Sequence, residues 1–272
     1  MQKLDYILDQ CKKYKEMIAT LPFIENDVRK AFFELNQANL DLYYKNMCWI
    51  YLTKAINDNE IKIDYSNKSI HTHVTELTST TKILGDFYNA RNYGNRGLVT
   101  SAWSTFEFCL TYLCDGLFDQ EMKEQVLNKD NLEVRKWLKP YKIKESILLK
   151  IDRILSKNHL THLSVNRKYD KVYSIYKEHY SGNMDEDKSF LSFFGKYRNA
   201  IHTNYIYHGK KYSYEFNEIE YIFNNQQPIT HNIDLDITHH FDLVLNLSEV
   251  VKRLFLCTDI TKFVKYPLEN EP

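Results

Sequence analysis

The chain has 272 residues, 26% of them charged, and its 36 basic and 36 acidic side chains cancel to a net charge of zero. That length and composition suit a globular protein with a real core and exclude a disordered one; the neutral balance argues against bulk attraction to nucleic acid or membrane while allowing a local basic patch. Seven glycines and five prolines are too few for a turn-rich all-β design, and 21 tyrosines with 15 phenylalanines supply large packing area. From the N-terminus, residues 2–19 and 25–56 read as two amphipathic helices broken at Leu21-Pro22. In the second, Val28, Phe32, Leu35, Leu42 and Trp49 recur at three- and four-residue steps or their multiples, with Asn39 and Asn46 in the gaps. That series permits a coiled-coil seam. Phe33, Leu40, Met47 and Ile50 widen the apolar face and favour a packed helical hairpin over residues 1–60.

Residues 57–82 turn polar, with a short alternation in IKIDY, so 61–84 is expected to connect two parts of the chain. ARNYGNRG (90–97) reads as a loop with two arginines, Arg91 and Arg96. Residues 98–118 form a helix with Trp103, Phe106, Leu110 and Leu117 on one face and Glu107 in that apolar setting. Shorter helices follow over 120–157 and 169–179. SGNMDEDKS (181–189) is an acidic loop suited to cap the next helix, about 186–203. Alternating aromatics around His208-Gly209-Lys210 predict a small β-hairpin, and Asp236–Thr258 a last amphipathic helix.

The helix over 186–203 carries KYRNAIHTN (196–204). At about 100° per residue, Phe190, Phe194, Tyr197 and Ile201 make a core stripe, and Arg198 and His202 lie side by side on its flank, about 40° apart. One reading is structural: both side chains bond to neighbouring elements, and Arg198 pairs with an acid such as Glu107. The other is phosphate chemistry. Arginine offers a planar fork of donors to a phosphate, histidine transfers protons near neutral pH, and Asn199 orients either partner.

The segment resembles the signature of the HEPN superfamily (higher eukaryotes and prokaryotes nucleotide-binding domains), in which Arg, commonly followed by Asn, precedes His by four to six intervening residues. Here three residues separate Arg198 from His202. The resemblance spans about 85–260 in arrangement and a handful of residues in motif. It implies a mainly α, HEPN-like helical bundle over 85–262, preceded by the N-terminal hairpin and carrying the small β-hairpin after the motif helix. It also implies a metal-independent endoribonuclease of toxin or anti-phage defence type, a homodimer open to an antitoxin or sensor protein as partner; a cytoplasmic location is expected from the scattered cysteines and the charged N-terminal residues. Arg198, Asn199 and His202 are then catalytic, Glu107, Tyr197 and His208 supporting, and Arg91, Arg96, Lys196 and Lys210 contact RNA. Neither cofactor nor metal is expected. The alternative within the same resemblance is a non-catalytic protein-binding or dimerisation module with the N-terminal hairpin as its docking surface.

Other patterns carry less. His71 and His73, and His159 and His162, have zinc-compatible spacing but no second ligand pair. His239-His240 reads as a solvated or capping pair at a helix start, and Asp234, Asp236 and Asp242 lack the partners of a two-metal nuclease. The five scattered cysteines read as reduced core thiols. The first residues read as no signal peptide, no apolar run suggests a membrane span, and no P-loop, dinucleotide fingerprint or serine elbow occurs.

Overall fold

The computed structural model describes residues 2–58, 60–61, 83–127, 136–141, 143–155, 164–232 and 235–267. The polar connecting segment 62–82 and the two spaced histidine pairs, His71/His73 and His159/His162, lie outside them. The fold is mainly α. Its helices are α1 (Gln2–Ala19), α2 (Val28–Asn57), α3 (Ile83–Leu117), α4 (Gln120–Leu127), α5 (Glu145–Leu155), α6 (Val165–Tyr176), α7 (Met184–His202) and α8 (Ile237–Leu256), with 3-10 turns at Lys139–Tyr141 and Lys177–His179. Among the described residues, five short strands lie between α7 and α8: β1 (Ile206–Tyr207), β2 (Tyr212–Phe216), β3 (Ile219–Phe223), β4 (Gln227–Pro228) and β5 (Thr230–His231).

Contacts divide the chain into two compact units, each assembled from three separated stretches. The first holds residues 1–21, 33–103 and 193–248; the second holds 22–32, 104–192 and 249–272. Four long helices, α2, α3, α7 and α8, contribute residues to both.

In the first unit, α2 buries Phe33, Leu40, Tyr43 and Met47. The Tyr43 hydroxyl donates to the Ile237 carbonyl at 2.6 Å and lies 2.8 Å from Asn95 Oδ1, which ties α2 to α3 and to the start of α8. Lower on α2, Asn36 donates to Ser248 Oγ at 2.6 Å, and Tyr14 of α1 donates to the same hydroxyl at 3.1 Å. Helices α3 and α7 approach closely where Gly195 meets Trp103. A Cβ at Gly195 would stand 2.9 Å from the indole, and the indole stacks on Phe194 with centroids 5.6 Å apart.

The heptad-spaced series on α2 is not one core stripe. Val28 is 0% exposed, Leu35 39%, Leu42 58% and Trp49 66%. A strict seven-residue repeat drifts about 20° per heptad around a straight α-helix, so a series that begins buried walks out to solvent. The residues that widen the face, Phe33, Leu40 and Met47, form the core contact instead.

The expected loop at 90–97 is helical, inside α3. Gly94 and Gly97 lower local helix propensity by about 1 kcal/mol each, but packing overrides this. A Cβ at Gly94 would come 2.9 Å from Met47 Cε, the end of a flexible α2 side chain that packs against this glycine. The hairpin is also displaced. Its turn is Asn217-Glu218, both with positive φ (49° and 64°), joining β2 to β3 in a two-residue loop of the primed kind. Gly209 lies on the link between β1, which pairs with β4, and β2. The three-stranded sheet runs β2-β3-β5 and is entirely antiparallel. It covers α7 through aromatic contacts: Phe193 stacks on Tyr214 at 4.3 Å and meets the edge of Tyr221 at 4.9 Å.

In the second unit, Arg29 at the start of α2 is fully buried. Its Nε and Nη2 donate to the two Asp27 carboxylate oxygens (2.9 and 2.7 Å), and its other donors reach Thr258 Oγ1, the Asp259 carbonyl and the Lys262 carbonyl. A buried ion pair with every donor used avoids the cost of an unsatisfied charge. The acidic stretch before α7 is shorter than expected, since the helix begins at Met184. Asp187 lies inside it, nearly buried, and accepts Nε and Nη2 of Arg253 at 2.7 and 2.6 Å. Lys168 of α6 is buried too and donates to Thr111 Oγ1 at 2.7 Å. Cys11, Cys109, Cys114 and Cys257 are buried and reduced, and burial pushes the Cys109 thiol up to about 12.

Candidate functional site

The core stripe of α7 forms as its periodicity dictates: Phe190, Phe194, Tyr197 and Ile201 are all buried. On the flank, Arg198 is half-buried, Asn199 and His202 are exposed, and Arg198 Nη1 donates to Asn199 Oδ1 at 3.1 Å. His202 is the last helical residue. The helix stops because Asn204 and Tyr205 both take left-handed backbone (φ 56° and 65°) and the Thr203 hydroxyl turns back to the Ala200 carbonyl at 3.1 Å. Left-handed backbone is unusual for a bulky aromatic. Here it is held by the Ile229 amide, which donates to the Tyr205 carbonyl at 3.0 Å.

Tyr205 brings a second arginine to this end of α7. The Arg96 guanidinium lies over the Tyr205 ring, 4.7 Å from its centroid. Trp103 of α3 meets Gly195 of α7, and Arg96 meets Tyr205. The two helices therefore run antiparallel. Seven residues span about 10 Å of helix, so Arg96 is level with His202. Gly195 and His202 are also seven apart, on the side of α7 that turns toward α3. Arg96, Arg198, Asn199 and His202 thus share one polar corner of the first unit.

Lys196 is two residues from Arg198, about 160° away around the helix. It sits on the opposite flank, with its Nζ 4.3 Å from the Tyr212 ring centroid and its pKa lowered by burial. Arg91 is half-buried on α3, about 140° around that helix from Arg96. Its charge acts on Tyr43 and His240 at the start of α8. His208 and Lys210 are exposed on the link between β1 and β2. Glu107 belongs to the second unit, half-buried, and its carbonyl accepts the Thr111 hydroxyl at 2.6 Å. Tyr197 is wholly buried and faces the interior rather than the polar corner.

Beneath α7 lies a cluster that the sequence did not disclose. His239 and His240 are buried, not solvated. His240 Nε2 and the Tyr197 hydroxyl share a hydrogen bond of 2.8 Å, and His239 Nε2 bonds the Tyr221 hydroxyl. Burial lowers the His239 pKa to about 4 and the His240 pKa to about 3, and the charge of Arg91 adds to the depression at His240. Asp236 caps the helix below them, its Oδ1 accepting the Thr238 amide and hydroxyl at 2.7 Å each. Burial would raise the Asp236 carboxyl, but these bonds and the bond from Lys3 outweigh it and hold the pKa near 2. The signal available in sequence was HHFDLV, a His pair running directly into an apolar helix face.

Among the described residues no group of three or more His, Cys, Asp or Glu side chains is arranged to hold a metal ion. No described helix is long and apolar enough to cross a membrane. The polar corner offers two guanidinium groups, an amide and an exposed imidazole on an antiparallel helix pair. Those groups can bind a phosphate and move a proton beside it. No family model, no curated protein and no solved structure matches the chain.

Proposed function

We propose that the chain is a metal-independent endoribonuclease of the toxin or anti-phage defence type, with its active site at the polar corner of α3 and α7. The observation that carries the reading is the bonded Arg198–Asn199 pair one turn before the exposed His202, with Arg96 of α3 over Tyr205 just past the helix end, on the helix whose RNAIH segment resembles the HEPN signature. His202 takes the proton of a ribose 2′-hydroxyl. The 2′-oxygen attacks the adjacent phosphorus, the bond from phosphorus to the 5′-oxygen breaks, and that oxygen leaves with a proton from water. The products are a 2′,3′-cyclic phosphate and a free 5′-hydroxyl. Arg198 and Arg96 carry the negative charge that develops on the phosphoryl oxygens, Asn199 fixes the Arg198 fork, and the RNA backbone supplies the ligand charge. A positioned base accounts for about 10²–10⁴ in rate, and removing one charge-stabilising donor costs about 10²–10³.

Single-turnover cleavage of mixed cellular RNA by Arg198→Ala and His202→Ala tests this. Each variant loses activity in that range while keeping the wild-type circular dichroism spectrum. Wild-type rates from either variant overturn the assignment.

A further inference from the structure

We propose that the stretch carrying Trp137, Tyr141 and α5 is a membrane-surface anchor, which lays the second unit on the anionic headgroups of a phospholipid bilayer. The chain is neutral as a whole, but its charge is not evenly spread. Residues 135–157, RKWLKPYKIKESILLKIDRILSK, hold eight basic residues and two acidic ones, and the rest of the chain holds 28 basic and 34 acidic. An anionic surface attracts this stretch and repels the remainder, which orients the molecule as it approaches. The stretch belongs to the second unit and the polar corner to the first, so the proposal does not depend on RNA cleavage.

Beside the basic groups, large apolar groups stand in solvent. Trp137 and Tyr141 are 68% and 65% exposed, with ring centroids 5.8 Å apart. Pro140 lies between them in the 3-10 turn Lys139–Tyr141. On α5, Ile147 and Leu149 are 48% and 60% exposed, and Lys144 and Lys150 near them are exposed too. Positions 147, 151 and 154 are isoleucines at steps of four and three, the spacing of one helix face. Tryptophan and tyrosine rings combine an apolar body with a polar tip and sit at the headgroup level of a bilayer. Aliphatic side chains enter the acyl boundary, and lysines reach back to the headgroups along their apolar stems.

This mixture decides between an anionic leaflet and another polyanion. RNA gives lysines a counter-charge and aromatic rings a base to stack on, but it has no apolar phase for Ile147 and Leu149. A bilayer satisfies all three kinds of group. A basic amphipathic helix lies in the plane of the interface. The 11 residues of α5 suit that placement, whereas a span needs about 20.

Flotation of the full chain with lipid vesicles tests this at about 0.1 M salt, where exposed charges act over about 10 Å. Vesicles of phosphatidylcholine mixed with phosphatidylglycerol are expected to carry the chain upward, and pure phosphatidylcholine to bind it at least about 10-fold more weakly. Trp137→Ser/Leu149→Ser and Lys136→Gln/Lys144→Gln/Lys150→Gln change only exposed side chains. Each is expected to keep the wild-type circular dichroism and to weaken binding to the mixed vesicles by at least about 10-fold. Folded wild type that stays behind when the mixed vesicles float overturns the proposal. So does equal binding to neutral vesicles, or undiminished binding by either folded variant. If both variants instead lose affinity for tRNA while no vesicle binds, the stretch is a nucleic-acid surface and the proposal fails.

Discussion

Two histidine sites lie within the same unit, and their environments are opposite. His202 ends α7, exposed, at the negative end of a helix dipole and beside Arg198. His239 and His240 begin α8, buried, hydrogen-bonded to Tyr221 and Tyr197 and held neutral by burial. An exposed helix C-terminus leaves an imidazole open to solvent and to a bound molecule. A buried helix N-terminus favours one that stays neutral and serves as a packing group. Residue type alone separates neither. If His202 carries the proposed chemistry while His239 and His240 hold the fold, substitutions at the two sites fail in different assays.

The largest expected effect sharpens that contrast. His202→Ala lowers RNA cleavage by about 10²–10⁴ and leaves the thermal midpoint within about 1 °C of wild type. A large fall in midpoint without loss of cleavage would reverse the two roles. Next, Tyr197→Phe strands His240 Nε2 in the interior and destabilises the fold by about 1–3 kcal/mol in urea titration, with cleavage by the folded fraction unchanged. Stability unaffected by that change would mean the hydrogen bond contributes nothing.

The pH dependence follows from the buried pair. Their folded pKa values, about 4 and about 3, lie below the ordinary 6.5. Between those limits the unfolded chain binds protons that the folded chain does not, so stability rises with pH. The contribution is complete above pH 6.5 and is lost as the pH falls toward 4, at up to about 1.4 kcal/mol per unit for each histidine. Denaturant midpoints that stay flat from pH 6.5 to 5 would contradict this. A change of comparable size is expected at the helix contact behind the polar corner. Gly195→Ala presses a methyl on the Trp103 ring and costs about 1–3 kcal/mol, and by separating α3 from α7 it also slows cleavage. Cleavage and stability both at wild-type values would show that the contact does not set the corner's geometry.

How far the sequence reached follows from the same physics. The core stripes of α7 and α3 were legible because long apolar series at helical spacing leave few alternatives, and Phe190, Phe194, Trp103 and Phe106 are buried as that spacing predicts. The side-by-side placement of Arg198 and His202 is a consequence of the same spacing. Segment 90–97 reads as a loop because two glycines and two asparagines dominate local propensity, while the packing partner of Gly94, Met47, is distant in sequence. The hairpin turn was placed at Gly209 because glycine is the usual turn signal, whereas Asn217 and Glu218 take the left-handed conformation without one. Arg96 was expected to touch RNA from a loop. Its place over Tyr205, three residues past His202, depends on the antiparallel pairing of α3 and α7, and no local pattern encodes it. The buried state of His239 and His240 likewise depends on the three-stranded sheet that covers α7.

The central claim is metal-free RNA cleavage centred on His202. The most direct measurement is the chemistry of the product ends after tRNA is incubated with the protein in excess EDTA. The account predicts 2′,3′-cyclic phosphate and 5′-hydroxyl ends with the wild type and none above background with His202→Ala. No cleavage by folded wild-type protein, or the same ends from His202→Ala at the same rate, would contradict it.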